Sequence, residues 1–522
     1  MHEPKLSDFA ARFLETNRSF PEGAGVAFRK EIEALAAHAD NYARLTMGLA
    51  RAIALADDGH TTLDFERTDG KRFLPRAPLR LALFPEGLHV VAAEDRELLG
   101  RRVTAIAGVP TDDVIQSLLP YSGGNTAHRR LQALAFLESP AALASAGIGS
   151  SEAAYVLTLD GIGERLVRAS AGKTSGHRLA PADLPHVLDG TPLPAYLRDL
   201  SLPARHEWLP GRILYVRINS NSDAPGMKLD DFLQGVLQEA ARGDVMEAVV
   251  DLRLNGGGNY LNTWRFARDL PACAAGRIAV LVGPWTFSAG IVTAALVKSF
   301  ARGRAVLFGE EMGDREQFWA ESVPVDIGSS GLRAWATTAR HDWQNGPQDP
   351  RSTFWLNMIY GAAAGSLRPE HEVPTTFEAY RSGRDPVLER ALQYLAEAPG
   401  TSPCREERSR PDVTSASNTG DPLDAALWVA GALKGIGERY DNRAAGEVSE
   451  IFESRAREMT STSAVAAAMA EGYAFALGEP YQKVLGEFAR RAVDLHPLLL
   501  RIEPPHPPDV QEPKAPTDGE AG

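Results

Sequence analysis

Apolar positions along the chain change period several times, and the changes divide it. Over residues 6–56 they recur at helical spacing, as in Phe9, Phe13, Phe28, Ile32, Leu35, Leu45, Leu49 and Ile53, which predicts two or three helices. The pattern ends at Asp57-Asp58-Gly59-His60, where Gly59 suits the left-handed residue that closes a helix and His60 leads into a strand-like run over 61–65. Residues 79–119 alternate as strands do, turn at Gly108-Val109-Pro110 and finish in a short amphipathic helix. A helix is predicted over 127–143. A hairpin about Asp160-Gly161 follows, with arms at 154–159 and 165–170.

After a Pro-, Gly- and His-rich stretch at 173–209, strands and helices alternate. Strands are predicted at 213–218, 248–252, 277–282 and 305–309, and helices at 229–241, 260–269 and 289–300. This order argues a parallel or mixed α/β sheet. Residues 399–421 are polar and turn-rich, a linker by composition. Residues 422–496 are Ala-rich with helical spacing and no strand signal, giving a small helical bundle or a docking surface. Residues 504–522 combine Pro with charge, a composition expected to be disordered.

A chain of 522 residues, 44% apolar and 24% charged, has room for two or more domains and a sizeable core. Its net charge of −13, without a basic stripe interleaved with aromatics, excludes nucleic acid as a partner and disfavours anionic membranes. Cys273 and Cys404 provide neither a metal-ligand spacing nor a disulfide framework, so no metal and no cofactor is expected. The first residues lack a secretory apolar core, and no window approaches the roughly 18 apolar residues of a membrane span. A cytoplasmic chain without membrane insertion is the expectation.

Two stretches carry candidate chemistry. In RIAVLVGPWTFSAGIVTAALVKSF, Ser288 sits where a strand gives way to a helix, beside free N–H groups and the positive end of the helix dipole. That position suits a nucleophile, and equally suits an N-cap made by Ser288 or Thr286. In VMEAVVDLRLNGGGNY, Gly256, Gly257 and Gly258 permit positive φ and close approach to a ligand, so the loop either aims bare amides at an oxyanion or only turns the chain. His60, with a pKa near neutrality, suits a general base or a surface position.

DLRLNGGG, a strand and then TFSAG, in that order, resembles the C-terminal processing and tricorn-like serine peptidases, whose core pairs a D-x-R-x-N-x-G-G loop with a nucleophile in T-x-S-A. The resemblance continues upstream in Asp58-Gly59-His60-Thr61 and downstream in Phe308-Gly309-Glu310, Leu367-Arg368-Pro369 and Gly383-Arg384-Asp385-Pro386-Val387-Leu388. It implies a crotonase-like spiral core, with Ser288 as nucleophile, His60 as base and the N–H groups of Gly257 and Ala289 as oxyanion hole. L-G-x-x-V-x-x-I-x-G-x-P, beginning at Leu99, resembles the second half of a PDZ domain, either capturing peptide ends or only packing. The implied division is 1–70 helical with the D-G-H-T element, 75–200 PDZ-like and hairpin, 205–398 peptidase core, 399–421 linker, 422–500 helical and 503–522 tail.

The chain departs from the pattern twice. GEEMGDREQFW has no lysine after the strand end, and Lys298 lies down the nucleophile's own helix, so a Ser–Lys dyad is absent. Tricorn-like members place a supporting glutamate shortly before the final P-D segment, but residues 360–369 here hold no carboxylate and the first is Glu370, which leaves Asp58, Glu310 and Glu311 as candidates to orient His60. The function implied is serine-type hydrolysis of a peptide or unfolded protein, compatible with a homo-oligomer. The alternative is a non-catalytic module on the same fold, as in retinoid-binding relatives of the family, holding a peptide or apolar ligand.

Overall fold

A computed structural model describes residues 6–36, 41–64, 74–170, 176–243, 245–397, 422–459 and 462–499. The expected linker at 399–421 and the tail at 504–522 lie outside the described residues. Helices α1 (Leu6–Thr16), α2 (Ala24–Ala36) and α3 (Tyr42–Ile53) come first, then strand β1 (Thr62–Asp64). Phe9, Phe13, Phe28, Leu49 and Ile53 pack together, as their spacing predicts. The left-handed residue after them is Asp57, at φ 52°, rather than Gly59. Gly59 is required for a different reason: a Cβ there would lie 2.9 Å from Asp314 Oδ2 and 3.0 Å from the Phe287 ring.

An antiparallel sheet follows, from β2 (Leu79–Phe84), β3 (Gly87–Ala93), β4 (Arg102–Ile106), β5 (Val109–Pro110), β6 (Ala154–Leu159) and β7 (Gly163–Arg168). Its order is β2-β3-β4-β6-β7, with β5 paired to β4. Between β5 and β6 run α4 (Thr111–Leu118), α5 (Thr126–Leu137) and α6 (Pro140–Ser145). The one helix expected over 127–143 is two, because Pro140 cannot extend α5 and Ser139 instead caps α6 through the Ala142 N–H.

The central sheet contains β8 (Ala204–Leu209), β9 (Ile213–Ile218), β10 (Glu247–Asp251), β11 (Ile278–Val282) and β12 (Ala305–Gly309), crossed by α7 (Leu229–Arg242), α8 (Leu261–Cys273) and α9 (Ala289–Ala301). β9 to β12 are parallel, and β8 returns antiparallel on β9 as an edge strand. Sequence reading missed β8 because its middle residues, Arg205, His206 and Glu207, are polar and half-exposed. It also missed the long hairpin of β13 (Gln317–Asp326) and β14 (Arg333–Asp342), where Pro324 and scattered charges hide the alternation. β1 pairs with β14, Leu63 opposite Ala334, and this pairing carries the His60 turn to the core.

The chain continues through α10 (Trp355–Tyr360), β15 (His371–Glu372) on the edge of the central sheet, α11 (Phe377–Arg381) and α12 (Pro386–Ala396). Among the described residues four further helices follow, α13 (Pro422–Tyr440), α14 (Arg443–Met459), α15 (Thr462–Gly478) and α16 (Tyr481–Leu499). They share one apolar core with α8 and α9. Tyr360 Oη donates to the Ala492 carbonyl at 3.1 Å, and His496 Nε2 lies 2.9 Å from the Leu261 carbonyl, tying α16 to the sheet-flanking helices. Among the described residues no helix is long and apolar enough to cross a membrane.

Candidate active site

A buried ion cluster fixes the base of the glycine loop. Arg253, just after β10, donates to Asp251 and, through two nitrogens at 2.7 and 2.8 Å, to Asp385 at the start of α12. Tyr215 Oη donates to Asp251 at 2.8 Å, and the guanidinium lies over the Tyr196 ring. The D-x-R pair and the G-R-D-P segment are therefore two halves of one clamp across the sheet.

Above the clamp the loop is locked to the α9 helix by buried amides and hydroxyls. Asn255 Nδ2 donates to Asn221 Oδ1, Asn221 Nδ2 donates to Thr263 and Thr293, and Thr293 Oγ1 donates to the Ala289 carbonyl at 2.8 Å. The Gly257 N–H donates to Asn255 Oδ1 at 3.0 Å, and its carbonyl accepts from the Asn221 N–H at 2.8 Å. Gly257 has φ 112°, and a Cβ there would lie 2.7 Å from Ser288 Cβ and 3.3 Å from Ala289 N. A bare backbone is thus pressed directly against the serine.

Ser288 itself has φ 51° and ψ −125°, a region costly for a residue with a Cβ, and its side chain makes no capping bond to α9. Capping is therefore not what places a serine here. Thr286 stabilises the turn instead, donating to the Leu252 carbonyl at 2.8 Å and accepting from the Gly283 N–H at 3.0 Å.

His60 reaches this region from the N-terminal unit. Its turn is held by Gly123 and Gly124, where a Cβ would strike the Asp58 carbonyl or Gly59, and by Arg129 and Arg315, which both pair with Asp57. The imidazole stacks on Phe287, the residue before Ser288, with ring centroids 4.3 Å apart. The stack runs on as His128, Phe287, His60, Phe318, His341 and Phe354. His60 Nδ1 lies 3.5 Å from Asp314 Oδ2, an ion-pair contact, and among the described residues neither ring nitrogen has a hydrogen-bond partner. Burial pulls the His60 pKa down, but the carboxylates of Asp314, Asp58 and Glu321 outweigh it and leave the imidazole above its ordinary value. Burial, helped by the neighbouring His60 and Arg129 and opposed by Asp314, takes His128 down to about 4.

Of the three acids expected to orient His60, the geometry sets two aside. Glu310 lines a different cavity, about 360 Å³, with its carboxyl raised by burial, and Glu311 faces Asn125. Asp58 is near but anchored, accepting from Thr61 at 2.7 Å and from the Trp319 N–H at 3.2 Å. Burial raises its carboxyl to about 6. Asp314, which sequence reasoning missed, makes the contact. The only available signal was its position five residues after Gly309 at the strand end, close to where the resembled dyad enzymes place their lysine. Lys298 lies away from the serine, paired with Glu370 and the Ser366 carbonyl. A cleft of about 510 Å³ opens beside Gly59, His128, Gly256, Trp285 and Phe287.

No protein-family model and no curated protein matches the sequence. The fold is similar to that of mature CPAF, at 14% identity and a TM-score of 0.50, covering 76% of this chain and 98% of that one. Two further similar structures are the photosystem II D1 C-terminal processing protease, at 15% identity, TM-score 0.34 and coverage of 73% and 97%, and the tricorn protease, at 14% identity, TM-score 0.30 and coverage of 75% and 36%.

Proposed function

We propose that this chain is a serine-type peptidase working through Ser288, His60 and Asp314. The observation that carries the proposal is the uncapped Ser288 at φ 51°, held against the bare Gly257 backbone and the N-terminus of α9, with the His60 ring stacked on the adjacent Phe287. Strain of this kind, of order 1–3 kcal/mol, persists only where the surroundings enforce it, and it concentrates at working sites. In the first turn of α9 the Gly290 and Ile291 N–H groups donate to the Phe287 and Ser288 carbonyls, so the Ala289 N–H and the helix dipole are what favour an oxyanion.

In this reading Ser288 Oγ attacks the substrate carbonyl carbon while its proton passes to His60 Nε2. Asp314 faces Nδ1, holding the tautomer and stabilising the imidazolium. The tetrahedral oxyanion is met by the Ala289 N–H and the glycine loop, where Gly257 contributes once its N–H is shared between Asn255 and the new charge. Collapse returns the proton from His60 to the leaving amine, and water then releases the acyl group by the same path in reverse. The central sheet and its helices are read as the crotonase-like core, the β2 to β7 unit as the PDZ-like module, and the substrate as a peptide or unfolded protein in a cytoplasmic setting.

One observation favours the non-catalytic alternative: His60 Nε2 is not hydrogen-bonded to Ser288. A fluorophosphonate probe separates the two readings. Covalent labelling at Ser288, lost in Ser288→Ala and reduced about 10³-fold in His60→Gln, is expected of the peptidase. A folded chain that does not label would overturn it.

A further inference from the structure

Asp58, His60 and Asp314 each direct a ligand-type atom towards the others, and the three atoms lie within 4.8 Å of one another. Two of the groups are buried and find no hydrogen-bond partner among the described residues: Asp314 Oδ2, on a side chain only 1% exposed, and both nitrogens of His60. Buried polar atoms are otherwise paired in folded proteins, and each unpaired one carries a desolvation cost that a bound cation would offset. The 3.5 Å between His60 Nδ1 and Asp314 Oδ2 is long for an N–H···O bond. It is close to the separation, about 3.4 Å, of two ligands on one tetrahedral ion with bonds of about 2.1 Å.

The surroundings suit an ion as well. Asp58 is oriented by Thr61, Thr337 and the Trp319 N–H, the kind of outer support that metal-binding carboxylates have. A polar cavity of about 420 Å³ reaches Asp58 and Asp314, bordered by Asp57 and Arg315, and shares no lining residue with the cleft at Phe287. Two carboxylates, a neutral imidazole and a dication sum to zero charge. The imidazole selects zinc-class ions over magnesium or calcium.

We propose that Asp58, His60 and Asp314 form an inhibitory site for one zinc-class divalent ion, entered through this polar cavity. Occupancy of the Nδ1 lone pair leaves the imidazole proton on Nε2, so the ring cannot accept a proton from Ser288. This regulatory consequence rests on the peptidase reading, whereas the binding itself does not.

The test titrates Zn²⁺ into the full chain against a chromophoric chelator, with Co²⁺ as a visible reporter of tetrahedral geometry. One ion per chain is expected, bound equally by Ser288→Ala and weakened by about 100-fold or more in Asp314→Asn and in His60→Gln, beyond the loss of an outer-shell partner. Intense Co²⁺ absorption should be present in the wild type and absent from Asp314→Asn. Circular dichroism checks that each variant folds, and Asp314→Glu, which keeps a carboxylate, should regain part of the affinity. No stoichiometric binding, or binding indifferent to both substitutions, overturns the site. In the wild type, zinc should slow fluorophosphonate labelling in proportion to occupancy, and a chelator should restore it. Labelling unaffected at full occupancy overturns the inhibitory role. Absence of labelling without metal defeats the catalytic reading and leaves the site to the titration.

Discussion

Around Ser288 the polar side chains Asn221, Asn255, Thr263, Thr286 and Thr293 are all hydrogen-bonded to protein partners, whereas around His60 two ring nitrogens and one Asp314 oxygen find none among the described residues. The first half of the site is built inside one α/β unit, by a loop, a helix and the Arg253 clamp beneath them. The second is assembled from three separated pieces: the turn after α3, the segment after β12 and the β13/β14 hairpin. Preorganised donors and a strained serine are features that must exist before a substrate arrives. A base and its acid can be left to tighten when a ligand completes them.

The largest effect should come from breaking the clamp under the preorganised half. Arg253→Leu would leave Asp251 and Asp385 as buried, uncompensated carboxylates, a loss of about 3–5 kcal/mol. Chemical denaturation would show it as a lower midpoint at unchanged slope, and a loss under about 1 kcal/mol would mean that the clamp is dispensable. Next comes Gly257→Ala, whose Cβ would fall 2.7 Å from Ser288 Cβ. The alanine keeps its N–H but pushes the loop and Ser288 apart, so fluorophosphonate labelling per folded molecule should drop by about 10²–10³, the size of effect seen when an oxyanion donor is misplaced or lost. If activity fell only in step with folded protein, the loop would be a turn and nothing more.

This asymmetry also governs what could be read from sequence. Strand β11, the break at Gly283-Pro284 and helix α9 form one contiguous stretch, β10 and its glycine loop another, and local pattern exposes both. The clamp is legible only as a resemblance, because Arg253 and Asp385 are far apart in the chain. Asp314 was out of reach for a physical reason: it lies in a loop of charged residues, and only the pairing of β1 with β14 brings His60 to it. The β13/β14 hairpin was hidden too, since Glu321 at φ 55° interrupts its alternation and its Oε1 meets His341 Nε2 only across the two paired strands.

In the assembled half, Asp314→Asn should act through His60. The base must be neutral, so labelling should rise with pH through a midpoint above the ordinary histidine value of 6.5. Burial opposes that raised pKa and the nearby carboxylates sustain it, so removing Asp314 should move the midpoint to lower pH. The linked stability has the matching sign: a raised folded pKa stabilises the fold below the ordinary value and ceases to do so as pH rises through the folded one. A midpoint unmoved in Asp314→Asn, by NMR titration of His60 or by the labelling profile, would detach the acid from the base.

The smallest effect should distinguish strain from chemistry at Ser288. Both Ser288→Ala and Ser288→Gly remove the hydroxyl and should abolish labelling, but they differ in backbone freedom. Alanine keeps a Cβ at φ 51° and so keeps the strain, whereas glycine adopts that conformation without it. Glycine also loses more entropy on folding, by roughly 0.5–1 kcal/mol, which offsets part of a strain of roughly 1–3 kcal/mol. The glycine variant should therefore be the more stable of the two by about 1 kcal/mol, seen as a higher melting temperature. A glycine variant less stable than alanine by roughly 0.5–1 kcal/mol, the entropy cost alone, would mean that the backbone at Ser288 is relaxed. It would remove strain from the case for a nucleophile, leaving the uncapped helix end and the close Gly257 backbone to support it.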